Sequence, residues 1–228
     1  MADVDLNTPD FVRAAAERGV SEAQAIYGQM LLDGTLVPRN ATAALHWFER
    51  AARGGQVMAI NMVGRCLDQG WGVVASPCLA AQWFRKAADK GLDWGMYNFA
   101  TLLTLGRGVT EDKVEALHWF RKAAEQDHAK SINLLGSFYE DGWVVQHDLF
   151  TARALYQKAA VAGDFRGQFN YARLLLQDGQ VADALTWLHK VPKTATPAFV
   201  LKMKRFLLNS SRPEVHLFAV NLPADITL

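Results

Sequence analysis

Only two cysteines, Cys66 and Cys78, occur among 228 residues, too few for a disulfide framework, so a reducing cytoplasmic setting is expected. Neither sign of charge prevails: 24 Lys and Arg face 23 Asp and Glu, a net charge of +1. Without a clustered cationic excess there is no long-range field for phosphate backbones or anionic lipid, and no nucleic acid or membrane partner is expected. Long apolar runs are missing as well. The longest charge-free stretch, residues 69–84, is broken by Gly70, Gly72 and Pro77 and is too short to span a bilayer. The opening residues Met-Ala-Asp-Val-Asp-Leu have neither the basic nor the apolar region of a secretory signal. The six histidines form no i,i+4 pair and no zinc spacing with either cysteine. Gly70-Trp71-Gly72 and Gly106-Arg107-Gly108 are not followed by Gly-Lys-Ser/Thr, so neither reads as a phosphate loop. No metal and no cofactor is expected.

What the sequence does contain is a repeat. Leu45-His46-Trp47-Phe48, Ala81-Gln82-Trp83-Phe84 and Leu117-His118-Trp119-Phe120 recur every 36 residues, and the next step lands on Leu155-Tyr156. In step with them run Gly28, Gly64, Ala100, Gly136 and Ala172, and then Gly34, Gly70, Gly106 and Gly142. A period of this size marks a stacked array in which each repeat buries its apolar face against its neighbours.

Each repeat reads as two helices. Small and apolar residues at Ala23, Tyr27, Gly28 and Leu31 lie on one face of a 3.6-residue period, and Gly34 stops that helix. Asn40, Ser76, Asp112 and Asp148, again 36 apart, are placed to cap the second helix. Val37, Val73, Val109 and Val145 are expected to pin the intervening loops, and the Trp rung to be buried between repeats. The repeats then run about 21–55, 57–91, 93–127, 129–163 and a shortened 165–191. Capping helices are expected at 9–19 and at 196–210, where Thr196-Pro197 reads as N-cap and N1. Together these make one array over 1–211, followed by an extended tail over 212–228 that could also lie in another copy's groove.

The combination of Tyr27-Gly28 or Leu135-Gly136, Asp33-Gly34 or Asp141-Gly142, a loop valine and Trp-Phe-Arg-Lys-Ala-Ala resembles the Sel1-like repeat, a relative of the tetratricopeptide repeat. The resemblance covers residues 9–191. It implies an all-α fold, a right-handed α-solenoid of paired antiparallel helices, whose first helices line a concave face. It also implies a non-catalytic scaffold or adaptor that binds a partner protein or extended peptide in that groove. A regulatory subunit of one enzyme, or an enzyme in its own right, are the alternatives. On the analogy, the groove carries Asn61, Arg65, Trp94, Tyr97, Thr101, Lys130, Asn133, Arg166, Phe169 and Arg173, centred on the third repeat. Aromatic and Arg side chains supply binding energy, and Asn can both donate to and accept from a peptide backbone.

The remaining candidates read as ordinary structure. His46 and His118 precede the Trp rung at a tolerant position, as on an exposed helix face. Basic residues just past each Trp suit a helix C-terminus. Cys66 and Cys78 both take slots filled by apolar residues elsewhere and read as small buried hydrophobes, with a pairing across their hairpin left open.

Overall fold

The computed structural model describes residues 8–223, which contain thirteen α-helices, one short 3₁₀ turn and no strand. By contact the chain divides into two compact units, Met1–Ala123 and Ala124–Leu228, where the sequence suggests one uninterrupted array. The first holds α1 (Pro9–Glu17), α2 (Ser21–Asp33), α3 (Ala41–Arg53), α4 (Val57–Gln69), α5 (Pro77–Asp89), α6 (Asp93–Leu105) and most of α7 (Lys113–Glu125). The second holds α8 (Ala129–Asp141), α9 (Leu149–Val161), α10 (Phe165–Gln177), α11 (Val181–Leu188), a 3₁₀ turn at Val191–Lys193, α12 (Pro197–Leu208) and α13 (Pro213–Asn221). Consecutive helices pack together from α1 to α6 in the first unit and from α8 to α11 in the second, where α12 also packs against α13.

The repeat ladders correspond to contacts. In the first helix of a repeat, a glycine or alanine makes room for the aromatic ring of the second: a Cβ added to Gly28 would stand 2.9 Å from the Phe48 ring, and one added to Gly136 would stand 2.6 Å from Tyr156. Phe48, Phe84, Phe120, Tyr156 and Leu188 are the fully buried plugs of the five repeats. Neighbouring repeats meet on small residues, as where Gly95 lies against Ala87 and Ala88. The loops rest on the repeat before them. Gly72 and Gly108, both at φ +73°, approach the backbones of Ala41–Thr42 and Pro77–Cys78 so closely that any side chain would collide.

The expected N-caps Asn40, Asp112 and Asp148 accept from Ala43 N, Glu115 N and Thr151 N, whereas Ser76 makes no such bond. Pro77 at the first position of α5 supplies a preset φ instead.

Four expectations are corrected. The Trp rung is not the buried one. Trp47, Trp83 and Trp187 are only half-buried, Trp119 alone is buried, and the residue after each Trp fills the core. Each indole instead carries a cation at i+3: Arg50 over Trp47 at 4.5 Å, Lys86 over Trp83 at 5.2 Å and Lys122 over Trp119 at 5.0 Å, each on its own helix, and Lys190, just past the end of α11, over Trp187 at 3.8 Å. Cys78 is exposed while Cys66 is buried, and both thiols are free. Val73 is exposed rather than pinned.

The segment expected to be extended forms α13, with Pro213 at its first turn acting as a helix start rather than a breaker. Val215, Ala219 and Leu222 are buried in the core that α10, α11 and α12 share, so α12 and α13 form a further helix pair. Those three side chains are covered within their own unit, while Leu217 and Val220 of the same helix stay exposed. Residues 224–228 of that segment lie outside the described residues.

Candidate functional site

In the first unit the expected binding residues lie on α4 and α6. Asn61 is buried, at 2% exposure, because its Oδ1 accepts from Asn98 Nδ2 at 2.9 Å; it joins two first helices and does not face a guest. Arg65 is exposed, its guanidinium 5.0 Å over the Trp71 ring. On α6, Trp94 is 38% exposed and meets half-buried Tyr97 edge-on, ring centroids 6.1 Å apart. Tyr97 in turn lies 6.3 Å from Phe120. Thr101 Oγ1 donates to the Tyr97 carbonyl at 2.7 Å, so its proton is spent within the helix. Met96, Phe99, Ala100 and Leu103 bury the opposite side of α6 and hold the aromatic pair in place.

In the second unit the expected residues lie on α8 and α10. Asn133 repeats the role of Asn61: it is buried and accepts from Asn170 at 2.9 Å. Lys130 is half-buried, and Arg166 is exposed with its guanidinium 4.6 Å over Phe165. Phe169 is half-buried beneath α12, its ring 5.7 Å from Phe199 and 5.4 Å from Phe206. Arg173 donates to Glu140 at 2.5 Å, and Tyr156 OH donates to the same carboxylate oxygen at 2.7 Å with Ser137 Oγ 3.1 Å away.

This cluster is electrostatically settled. Burial alone would raise the Glu140 carboxyl, but bonds from Arg173 and Tyr156 outweigh it and hold the group below its usual range. Burial opposes the Arg173 charge, yet Glu140 keeps that guanidinium more firmly protonated. Burial foremost pushes the Tyr156 phenol up. Asp164, which caps α10 by accepting from Gly167 N at 2.8 Å, is raised by its own burial.

Sequence reasoning missed Asn98, Asn170 and Glu140 as partners of the residues it chose. A signal existed for the first two. Asn61 and Asn133 are 72 residues apart, and so are Asn98 and Asn170, a double-period pattern that pairs the asparagines. No three His, Cys, Asp or Glu side chains gather to hold a metal among the described residues.

The Sel1 repeat matches this sequence at residues 21–56, 57–92, 95–128 and 129–164, the boundaries of four helix pairs. The chain belongs to the Sel1 repeat family. Among solved Sel1 repeat structures, a protective antigen present in uropathogenic Escherichia coli strains is 27% identical, with a TM-score of 0.72 over 94% of this chain and 47% of that one. A Sel1 repeat protein from Oxalobacter formigenes is also 27% identical, with a TM-score of 0.74 over 87% of this chain and 58% of that one. This Sel1 repeat chain thus spans about half the length of both relatives. An immunity protein from Pseudomonas aeruginosa, 21% identical with a TM-score of 0.53 over 73% of this chain and 62% of that one, shares the fold. No curated protein matches the chain.

Proposed function

We propose that this Sel1 repeat chain is a non-catalytic scaffold that binds an extended segment of another protein, with Trp94 and Tyr97 of α6 as anchors. The observation that carries the reading is Trp94: a large indole left 38% exposed, braced edge-on by Tyr97, on a helix whose other side is fully packed. Rigid aromatic anchors of this kind dominate the energy of protein interfaces. A polypeptide suits the face better than nucleic acid, since α6 carries no cation and the chain's net charge is only +1. No helix among the described residues is long and apolar enough to cross a membrane, and the two free thiols are consistent with a reducing cytoplasm.

Peptides selected from a random display library against the full chain test this reading. They are expected to bind the Trp94→Ala protein at least about tenfold more weakly, a loss of roughly 1.4 kcal/mol, while its circular dichroism is unchanged. Equal binding by the variant overturns it.

A further inference from the structure

Helices α10 and α12 carry five cations, Arg166, Arg173, Lys202, Lys204 and Arg205, and not one carboxylate between them. Across the whole chain the two signs balance, whereas here the cations outnumber the nearby carboxylates, which are Glu140 on Arg173 and the α10 caps Asp164 and Asp178. Lys204 is committed to the carbonyls of Val220 and Leu222. Between the two helices runs a groove of about 310 Å³ whose apolar lining is Leu176, Phe206 and Leu207, with Arg173, Gln177 and Ser210 contributing polar groups. Phe206 contacts Phe169 and still leaves 48% of itself exposed. Glu140, the carboxylate on Arg173, accepts from an N–H of Nη2, which bears two of the five N–H donors of the guanidinium.

We infer that the groove between α10 and α12 binds an acidic peptide segment, a carboxylate of the guest pairing with Arg173 and a neighbouring apolar side chain covering Phe206 and Leu176. The kind of occupant rests on the scaffold reading; the place does not, since it involves neither Trp94 nor Tyr97. Charge complementarity selects the guest: a basic segment would meet Arg166, Lys202 and Arg205 as well as Arg173, with only Glu140 on Arg173 to offset them, and an acid without apolar side chains would leave the Phe206 ring wet. The groove is the size of one or two side chains, which suits a peptide better than the flat run of cations an anionic lipid surface prefers.

Fluorescence anisotropy on the full chain tests it with a labelled short peptide alternating Glu with Leu, a twin with Lys in place of Glu, and a twin with Ser in place of Leu. The Glu/Leu peptide is expected to bind, and both twins to bind at least about tenfold more weakly. Gln177→Glu, which adds a negative charge to the groove without touching the core, and Phe206→Ala are each expected to weaken the Glu/Leu peptide by a similar factor, with His46→Ala, on the exposed side of α3, unchanged. Any of four results overturns the inference: no binding of the Glu/Leu peptide, equal binding of the Glu/Ser twin, equal binding by both groove variants, or binding that is gained only when residues 224–228 are deleted. Two findings would reassign the groove. Phosphatidylserine vesicles that bind where the peptide fails would make it a lipid surface, and a doubled solution mass abolished by Phe206→Ala would give it to a second copy. The library peptides that depend on Trp94 report separately on the scaffold reading, so the two proposals fail independently.

Discussion

Gly64 lies directly beneath Phe84: a methyl group added to the glycine would stand 2.7 Å from two carbons of the ring, which is itself 2% exposed. The absence of a side chain on α4 and the presence of a ring on α5 are one packing solution, and the spacing of 36 residues copies it along the chain. Because the ring cannot retreat within a filled interior, Gly64→Ala is expected to destabilise the protein by about 1–3 kcal/mol. Phe84→Ala should cost about 3–5 kcal/mol, and Trp83→Ala distinctly less, because the indole is half-exposed. Urea denaturation of the three variants checks the order; equal costs for Trp83 and Phe84 would mean the plug has been misidentified.

The Asn61–Asn98 bond joins a buried amide to a half-buried one. Asn61→Ala leaves the Asn98 amide short of its partner and is expected to cost about 1–3 kcal/mol. A double-mutant cycle with Asn98→Ala should return a coupling of about 0.5–3 kcal/mol. Additive single costs would show that the bond contributes nothing beyond packing.

Two carboxyls of the second unit give opposite pH dependences. Glu140 has a folded pKa below its unfolded value, so its contribution is fully present above about 4.3 and is lost as pH falls through the lowered value. Asp164 has a raised folded pKa, so its contribution is present below about 3.9 and is lost as pH rises through the raised value. Glu140→Gln should therefore flatten the acid side of the stability profile, and Asp164→Asn, which keeps a capping oxygen for Gly167 N, should gain stability towards neutral pH relative to the parent. Urea midpoints across that range decide; parallel profiles for parent and both variants would refute the assignment.

Val144 holds φ at +52°, a conformation that a β-branched residue adopts only under strain. Val144→Gly is expected to raise stability by roughly 1 kcal/mol, since the relief exceeds glycine's extra unfolded-state entropy. Val73→Gly, at a position without positive φ, should lower stability by about 0.5–1 kcal/mol. Thermal melts of the two variants should move in opposite directions.

The thiols should react in sequence. Cys78 is exposed, whereas Cys66 is fully buried and its thiol is pushed up to about 11, chiefly by that burial. A colourimetric thiol reagent at neutral pH is expected to titrate one cysteine in the folded protein and the second only on unfolding. Two fast thiols would contradict the placement of Cys66.

The repeat length, the helix pairs and the stop at each Gly34-type position were legible because each leaves a residue type at a fixed spacing. Burial of Trp against Phe was not, since adjacent helical residues differ by only about 100° and both are large and apolar. The tail was misread because Pro213 signals a break and a helix start equally, and only the burial of Val215, Ala219 and Leu222 separates the two. On the candidate face, Trp94 and Arg65 are as accessible as the pattern implied, whereas Asn61 and Asn133 are not. A polar residue at a helix crossing looks like a surface residue until its partner across the crossing is known, and that partner lies 37 residues away.

The cations seated over Trp47, Trp83, Trp119 and Trp187 have a colloidal meaning. An indole that is half bare, as those of Trp47, Trp83 and Trp187 are, invites sticking, and a charged lid three residues onward keeps it wetted. Since the lid is encoded inside the repeat itself, a duplicated repeat would arrive already passivated. An array of this kind can therefore grow longer without growing more prone to clump.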